Sequence, residues 1–384
     1  MIEDSIIQWI ETGAQQAAPW RSESAVAPPK RVIIADDQIT ADAAYRLGSE
    51  GTALLWRGDF QNAKQLLQAL ARRIDQKKHK SASSPTDAFN QQRQTQAQRA
   101  RTLGMLLLKF DDDYRINLRR APDVKQACEE AYGPANGAFV ASLRELLGVI
   151  GAHEWRKKGI DIPAVGGRIH PHYGVFAPVR AEYVTLVNDA PLPATTLAFD
   201  IGTGTGVLAA VLARRGVQKI IATDQDRRAL NCAQENITRL GLDKQVEVIE
   251  ADLFPPGRAP LIVCNPPWVP ARPSSPLEHA VYDPDSRMLR GFLGGLAAHL
   301  EPSGEGWLLL SDLAEHLGLR SRAELLATFD AARLEVAGQT DIRPSHPRSA
   351  DTTDPLHAAR AAEVTSLWRL VARRGAKFLE STRR

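Results

Sequence analysis

Leu197-Ala198-Phe199-Asp200-Ile201-Gly202-Thr203-Gly204-Thr205-Gly206 is an apolar run that meets an acid and then breaks into alternating glycines. The apolar run suits a buried strand. The glycines suit a tight turn, because they reach positive φ at no steric cost and let a ligand approach the backbone closely. Gly206 to Arg215 then takes up helical apolar spacing. Strand, glycine turn and helix in that order open an α/β unit. Taken alone the turn is a weak signal. A dinucleotide fingerprint wants GxGxxG, whereas the spacing here is GxGxG. Val207 stands where the third glycine would be, and Asp200 directly before the turn is atypical of that fingerprint.

Downstream the alternation continues. KIIATD reads as a strand, RRALNCAQENITRLG as a helix, QVEVIEAD and APLIVCNPP as strands, SRMLRGFLGGLAAHL as a helix and EGWLLLSD as a strand, with RLEVAGQTDI and EVTSLWRLVARR as a closing pair. Near-continuous apolar strands alternating with helices predict a Rossmann-like, seven-stranded, mostly parallel sheet covered on both faces. Its strand ends carry acids. Asp224 ends the second strand, where an acid accepts both hydroxyls of a ribose. The third strand ends at Glu250-Ala251-Asp252-Leu253, where an acid beside an apolar residue suits an adenine amino group and covers its ring. Singly, each acid is a common strand-end residue. Three strand ends in register form a much stronger signal.

The fourth strand ends in Asn265-Pro266-Pro267-Trp268. An amide or exocyclic amine nitrogen is a poor nucleophile, because its lone pair is delocalised into the neighbouring π-system. Acceptors on both of its N–H bonds pull it towards tetrahedral geometry and expose the lone pair. The Asn265 side-chain oxygen and the Pro266 carbonyl suit that task, in a frame stiffened by proline. Trp268 offers a face on which a flat base or amide can stack, worth ~1–3 kcal/mol per base. Without the glycine turn upstream, this corner would read as a plain strand end.

The segment from about Arg168 to Leu370 resembles the class I S-adenosylmethionine-dependent methyltransferases, specifically the small-methyltransferase-domain family. That family includes ribosomal RNA guanine-N2 methyltransferases and is close to release-factor glutamine and adenine-N6 methyltransferases. The resemblance rests on DIGTGTG, ATDQD, ALNCAQEN, EADLF and NPPW, and on Tyr173-Gly174-Val175-Phe176-Ala177, where alanine replaces the family's usual serine. It implies S-adenosylmethionine as cofactor, held by Asp200, Gly202, Thr203, Gly204, Thr205, Gly206, Asp224, Gln225, Asp252, Leu253 and Asn265. Phe176 would line the methionine end. The catalytic corner would be Asn265, Pro266, Pro267 and Trp268.

Upstream, RVIIAD and TALLWRG read as strands, with helices in ITADAAYRLGSEG and DFQNAKQLLQALARRIDQKK. GMLLLKFD and YRINL suggest a strand pair around the Asp111-Asp112-Asp113 turn, followed by a helix in DVKQACEEAYG. The expected division is an N-terminal α/β domain over 1–150 and a catalytic domain over 151–384. The first contains no glycine-rich cofactor turn. It is either a degenerate copy of the catalytic fold used for substrate recognition or a structural cap. Ile6 to Ile10 reads as a short amphipathic helix, and GIDIPAVGGRIHPHYGVFAP as a linker.

The 384 residues allow two cores, and a formal charge of +3 permits a polyanionic partner without requiring one. Basic residues from Arg72 to Arg101 (Arg72, Arg73, Lys77, Lys78, Lys80, Arg93, Arg99 and Arg101) suit either phosphate contacts or a solvated helix face. Three scattered cysteines with no CxxC pair indicate neither disulfides nor zinc. His170-Pro171-His172 is a common loop pattern, so no metal is expected. Tyr282-Asp283-Pro284-Asp285 and Arg287 read either as a substrate lid or as a polar surface loop. The N-terminus lacks the basic start of a secretory signal, and no run is long enough to cross a bilayer. The expectation is a cytoplasmic N-methyltransferase whose target is a base amine in RNA. The alternatives are a glutamine amide in a translation protein, a small-molecule amine, or a non-enzymatic sensor of the cofactor.

Overall fold

Apolar runs become strands here wherever both faces are covered. The computed structural model describes residues 5–76, 82–179, 182–273, 278, 280–344 and 351–373. The chain divides into two units. One comprises Met1–Gly159, Pro171–Gly174 and Ser274–Glu278; the other comprises Ile160–His170, Val175–Pro273 and His279–Arg384.

The first unit opens with a hairpin, β1 (Ile6–Glu11) and β2 (Ala14–Pro19). This corrects the helix expected over Ile6 to Ile10. Ile7 and Trp9 are buried while Ile6 and Ile10 are exposed, which is a period of two and not 3.6. Thr12 and Gly13 join the strands with φ of 50° and 80°, the paired positive values of a hairpin turn that matches strand twist.

Next come β3 (Arg31–Ala35), α1 (Ala41–Ser49), β4 (Thr52–Trp56), α2 (Phe60–Asp75), α3 (Pro85–Leu103) and β5 (Leu106–Phe110). Then α4 (Lys125–Tyr132), β6 (Phe139–Ser142) and α5 (Leu143–Lys158) complete the unit. The sheet order is β3-β4-β5-β6, parallel except for β6. Alternate residues of β4 face opposite ways. Ala53 and Leu55 pack with Ile7 and Trp9, while Leu54 and Trp56 join the core with Phe60 and Leu70.

The expected YRINL strand does not form, and β6 takes its place beside β5. Tyr114 sits at φ 68°, which turns the chain before a ladder can extend, and Tyr114 and Ile116 enter the core as single anchors. Among the basic residues of 72–101, Arg73 pairs with Asp42, Arg93 with Glu278 and Arg99 with Asp75. Lys77, Lys78 and Lys80 lie outside the described residues.

The second unit begins where a linker was expected. Instead β7 (Ile160–Ile162) and β8 (Gly167–Ile169) form a small hairpin whose Ile162, Val165 and Ile169 are buried. The apolar residues of that Pro- and Gly-rich stretch therefore serve a core. Then follow α6 (Glu182–Asp189), β9 (Leu197–Ile201), α7 (Val207–Arg214), β10 (Lys219–Asp224), α8 (Arg227–Arg239), β11 (Val246–Glu250) and β12 (Ala259–Cys264). The chain continues through α9 (Arg287–His299), β13 (Leu300–Ser311), α10 (Leu313–His316), α11 (Arg322–Ala331), β14 (Leu334–Ile342), α12 (His357–Ala362) and β15 (Thr365–Ala372).

The seven strands run in the order β11-β10-β9-β12-β13-β15-β14. The first five are mutually parallel, and β15 is antiparallel to both its neighbours. One face carries the core around α6 and α7, the other the core around α9 and α11. The strand order reverses between β9 and β12. Sheets of this kind bind ligands outside the carboxyl ends at that point. No helix among the described residues is long and apolar enough to cross a membrane.

Candidate active site

Register brings the quoted strand ends together. Ile201 lies level with Thr223 on one side and Cys264 on the other, so Gly202, Asp224 and Asn265 all leave the sheet at the same edge. Asp224 in turn pairs with Glu250, which brings Asp252 to that edge as well.

The turn after β9 is built by its own polar groups. Gly202, Gly204 and Gly206 have φ of 71°, 56° and 78°. The buried Asp200 accepts through Oδ2 from the Thr203 hydroxyl at 2.6 Å and from Ala209 N–H at 3.0 Å, tying the strand end to α7. Burial pushes the Asp200 pKa up to about 6. Thr203 N donates to Thr223 O at 2.8 Å, which fixes the turn against β10.

The glycines differ in what surrounds them. A Cβ at Gly206 would press on the Ala233 backbone of α8, and one at Gly202 would run into the Met288 thioether methyl. At Gly204 nothing lies within 4 Å. Gly204 therefore offers a bare backbone, as close approach of a ligand requires.

Asp224 receives Gly204 N at 3.1 Å on Oδ2 and Asp226 N at 3.0 Å on Oδ1. Burial raises its pKa. Each carboxylate oxygen keeps a lone pair, so the group retains the capacity to accept two ribose hydroxyls. Gln225 stands exposed beside it. Leu253 is held at φ 74°, and its carbonyl accepts from the Thr223 hydroxyl at 2.6 Å. Asp252 is exposed and meets Arg287 at 2.9 Å. Phe176 is half-buried, next to Val175, which packs on Ala229 and Cys232 of α8.

At the corner after β12, Pro266 is buried while Asn265, Pro267 and Trp268 are half-exposed. The Trp268 indole N–H donates to Asn265 Oδ1 at 2.9 Å. That bond decides which end of the amide is the oxygen and leaves Oδ1 one further lone pair for an incoming N–H.

In the Tyr282–Arg287 stretch Pro284, Asp285 and Arg287 are exposed, whereas Asp283 faces inward. Asp283 is buried, its N–H donates to Val269 O at 2.9 Å, and its carboxylate accepts from Met288 N and Leu289 N, both at 3.1 Å. It caps α9 and ties that helix to the corner.

Two site residues escaped sequence reasoning. Asn236 is fully buried; its Oδ1 accepts His170 N at 2.8 Å and its amide donates to Thr205 O at 3.1 Å, clamping the glycine turn to α8. A polar residue on the apolar face of an amphipathic helix was the available signal. Met288, seated on Gly202, had none. Among the described residues no cluster of His, Cys, Asp or Glu could hold a metal ion.

A doubly wound sheet with a bare glycine turn, an acid on the next strand and an Asn-Pro-Pro-Trp corner at the reversal forms a Rossmann-like fold with these groups at one edge. Residues 166–329 match the protein family described as methyltransferase small domain. The release factor glutamine methyltransferase of Cereibacter sphaeroides is 33% identical over 178 residues, covering 43% of this chain and 63% of that protein. The tRNA1(Val) (adenine(37)-N6)-methyltransferase of Shewanella loihica is 28% identical over 200 residues, covering 48% of this chain and 79% of its own. A solved S-adenosylmethionine-dependent methyltransferase from Thiobacillus denitrificans is 16% identical with a TM-score of 0.36, covering 52% of this chain and 92% of that one. This chain thus spans less than two thirds of the glutamine methyltransferase, and 34% of a ribosomal protein L11 methyltransferase from Sorangium cellulosum.

Proposed function

We propose that this chain is an S-adenosylmethionine-dependent N-methyltransferase whose target is a planar nitrogen, first of all an exocyclic base amine in RNA. The observation that carries this reading is the placement of Asn265. It leaves the sheet level with Gly202 and Asp224, with its amide oxygen oriented by Trp268.

The residues present fit the cofactor. Gly204 would let it lie against the backbone, Asp224 would take the ribose hydroxyls, and Leu253 beside Asp252 would meet the adenine. When bound, it supplies a methyl group already activated by the sulfonium. What this chain adds is alignment and preorganised acceptors. Asn265 Oδ1 and the Pro266 carbonyl accept the two N–H bonds of the substrate nitrogen, turning its lone pair out of conjugation. The half-exposed Trp268 face holds the flat group, and the proton leaves after transfer, so no histidine base is needed.

The N-terminal α/β unit serves substrate recognition in this reading, and the site of action is the cytoplasm, where its free cysteines stay reduced. A glutamine amide of a translation protein is the second reading, favoured by the similarity to a glutamine methyltransferase.

The test is methyl transfer from labelled donor into total RNA and into whole-cell protein, both taken from cells lacking the gene. Label in RNA that disappears with Asn265→Ala, and binding that weakens steeply with salt, are expected. Label confined to protein would replace the first reading with the second. No label in either, from folded protein, would defeat both.

A further inference from the structure

Three arginines of this chain grip a carboxylate through the same edge. Arg369 places Nε and Nη2 on the two oxygens of Glu305 at 2.7 and 2.5 Å. Arg57 does the same with Glu11 at 2.7 and 2.8 Å, and Arg99 with Asp75 at 2.9 and 3.2 Å. That fork matches the spacing of two oxygens on a carboxylate or phosphate.

Arg320 has the same edge and no anion on it. Its Nε and Nη2 are sealed from solvent and meet no acceptor among the described residues. The residue follows α10, where Leu319 N and Arg320 N both turn back onto Ala314 O. Its backbone is therefore fixed against Ala314, three residues past the carboxyl end of β13.

The acids whose charge acts on it are committed elsewhere. Glu315 is held by Arg322 at 2.8 and 3.0 Å. Asp283 accepts the two backbone N–H groups of α9, and Glu324 completes the capping box of α11. Burial draws the Arg320 pKa below the ordinary arginine value. A guanidinium stays protonated nonetheless, so the half-buried Arg320 carries a charge whose sealed edge lacks an acceptor, a cost an arriving anion would offset. The position is suggestive too. Asp283, whose charge reaches Arg320, is bonded to Val269, the residue after Trp268.

We propose that Arg320 is an oxyanion-binding residue for the substrate, its fork taking a phosphate of the RNA strand whose base is presented at Asn265. The inference rests on the RNA reading above. A phosphodiester brings two free oxygens close to every base, whereas a glutamine amide carries no anion of its own. Because the edge is sealed in the free protein, the side chain swings out as the phosphate arrives.

The experiment uses the full chain as wild type, Arg320→Lys and Arg320→Met, unfolded thermally in inorganic phosphate and in chloride at matched ionic strength. Phosphate is expected to raise the wild-type midpoint and to leave Arg320→Met unmoved. In chloride, Arg320→Met should unfold no lower than wild type, because a charge whose sealed edge lacks an acceptor has been replaced by an apolar stem. In turnover, its KM for RNA should rise roughly tenfold to a hundredfold, with binding of S-adenosylhomocysteine unchanged. Arg320→Lys should recover part of that loss.

A phosphate effect of equal size in wild type and Arg320→Met would overturn the proposal. So would a lower midpoint for Arg320→Met in chloride that lysine restores, since the charge would then be paired internally. If RNA is methylated and Arg320→Met keeps its KM, this inference fails and the substrate reading stands. If the phosphate effect is present but no RNA is methylated, the anion site stands and the substrate reading fails.

Discussion

Gly204 and Gly206 lie two residues apart in the same turn, yet alanine should do opposite things at the two positions. At Gly206 the backbone sits at φ 78°, and a Cβ would come within 3.2 to 3.4 Å of Ala233 Cα, Cβ and O. The left-handed backbone costs ~1–2 kcal/mol. Forcing a methyl onto a helix backbone costs ~1–3 kcal/mol. Restricting the unfolded chain offsets ~0.4–1 kcal/mol of this. The net loss is about 1–5 kcal/mol, centred on ~3, and a domain of this size loses roughly 2–4 °C in melting temperature per kcal/mol. At Gly204 φ is 56° and nothing lies within 4 Å, so only the backbone cost applies, leaving a net loss below about 2 kcal/mol. Its methyl, however, would project into the space assigned to the cofactor. Thermal melts and calorimetric titration with S-adenosylhomocysteine separate the two effects. Gly206→Ala should melt lower by roughly 5–15 °C while the folded fraction still binds. Gly204→Ala should melt within a few degrees of wild type and bind at least about tenfold more weakly, the loss expected when a ~1.4 kcal/mol contact is replaced by a clash. Wild-type affinity in Gly204→Ala, or equal destabilisation by both changes, would refute the reasoning.

Trp268→Phe keeps an aromatic face but removes the donor that orients Asn265. With a neutral hydrogen bond worth about 1 kcal/mol, kcat should fall roughly fivefold while donor affinity holds in the same titration. Asp283→Ala orphans one buried and one half-buried N–H group of α9, so chemical unfolding should show a loss of about 2–3 kcal/mol. Burial holds the folded-state pKa of Asp200 at about 6 against an ordinary value of 3.8, so its contribution favours folding below pH 4 and is lost as pH rises through 6. Relative to Asp200→Asn, wild-type stability should therefore decline by about 3 kcal/mol between pH 4 and 7 and then level off, as followed by urea unfolding at each pH.

The sheet of the second unit was legible because its strands are buried on both faces and flanked by helices, so residues such as Leu261, Ile262 and Val263 carry their own assignment. Where one face is open, the reading depended on which period was imposed. Ile6 to Ile10 satisfies a helical pattern loosely and a two-residue pattern strictly, and burial of Ile7 and Trp9 against β4 decided it. The site divides along a similar line. Glycines and strand-end acids announce themselves, because backbone conformation and chain direction restrict what can stand there. Asp283 did not, since the same acid could serve a surface loop or cap a helix, and only burial tells them apart. Arg320 lies further still from what a sequence displays. An arginine in a polar stretch reads as solvated, and its significance comes from an acceptor that the fold fails to provide. Features that depend on a partner being present can be read from spacing; those that depend on a partner being absent require the three-dimensional arrangement of everything around them.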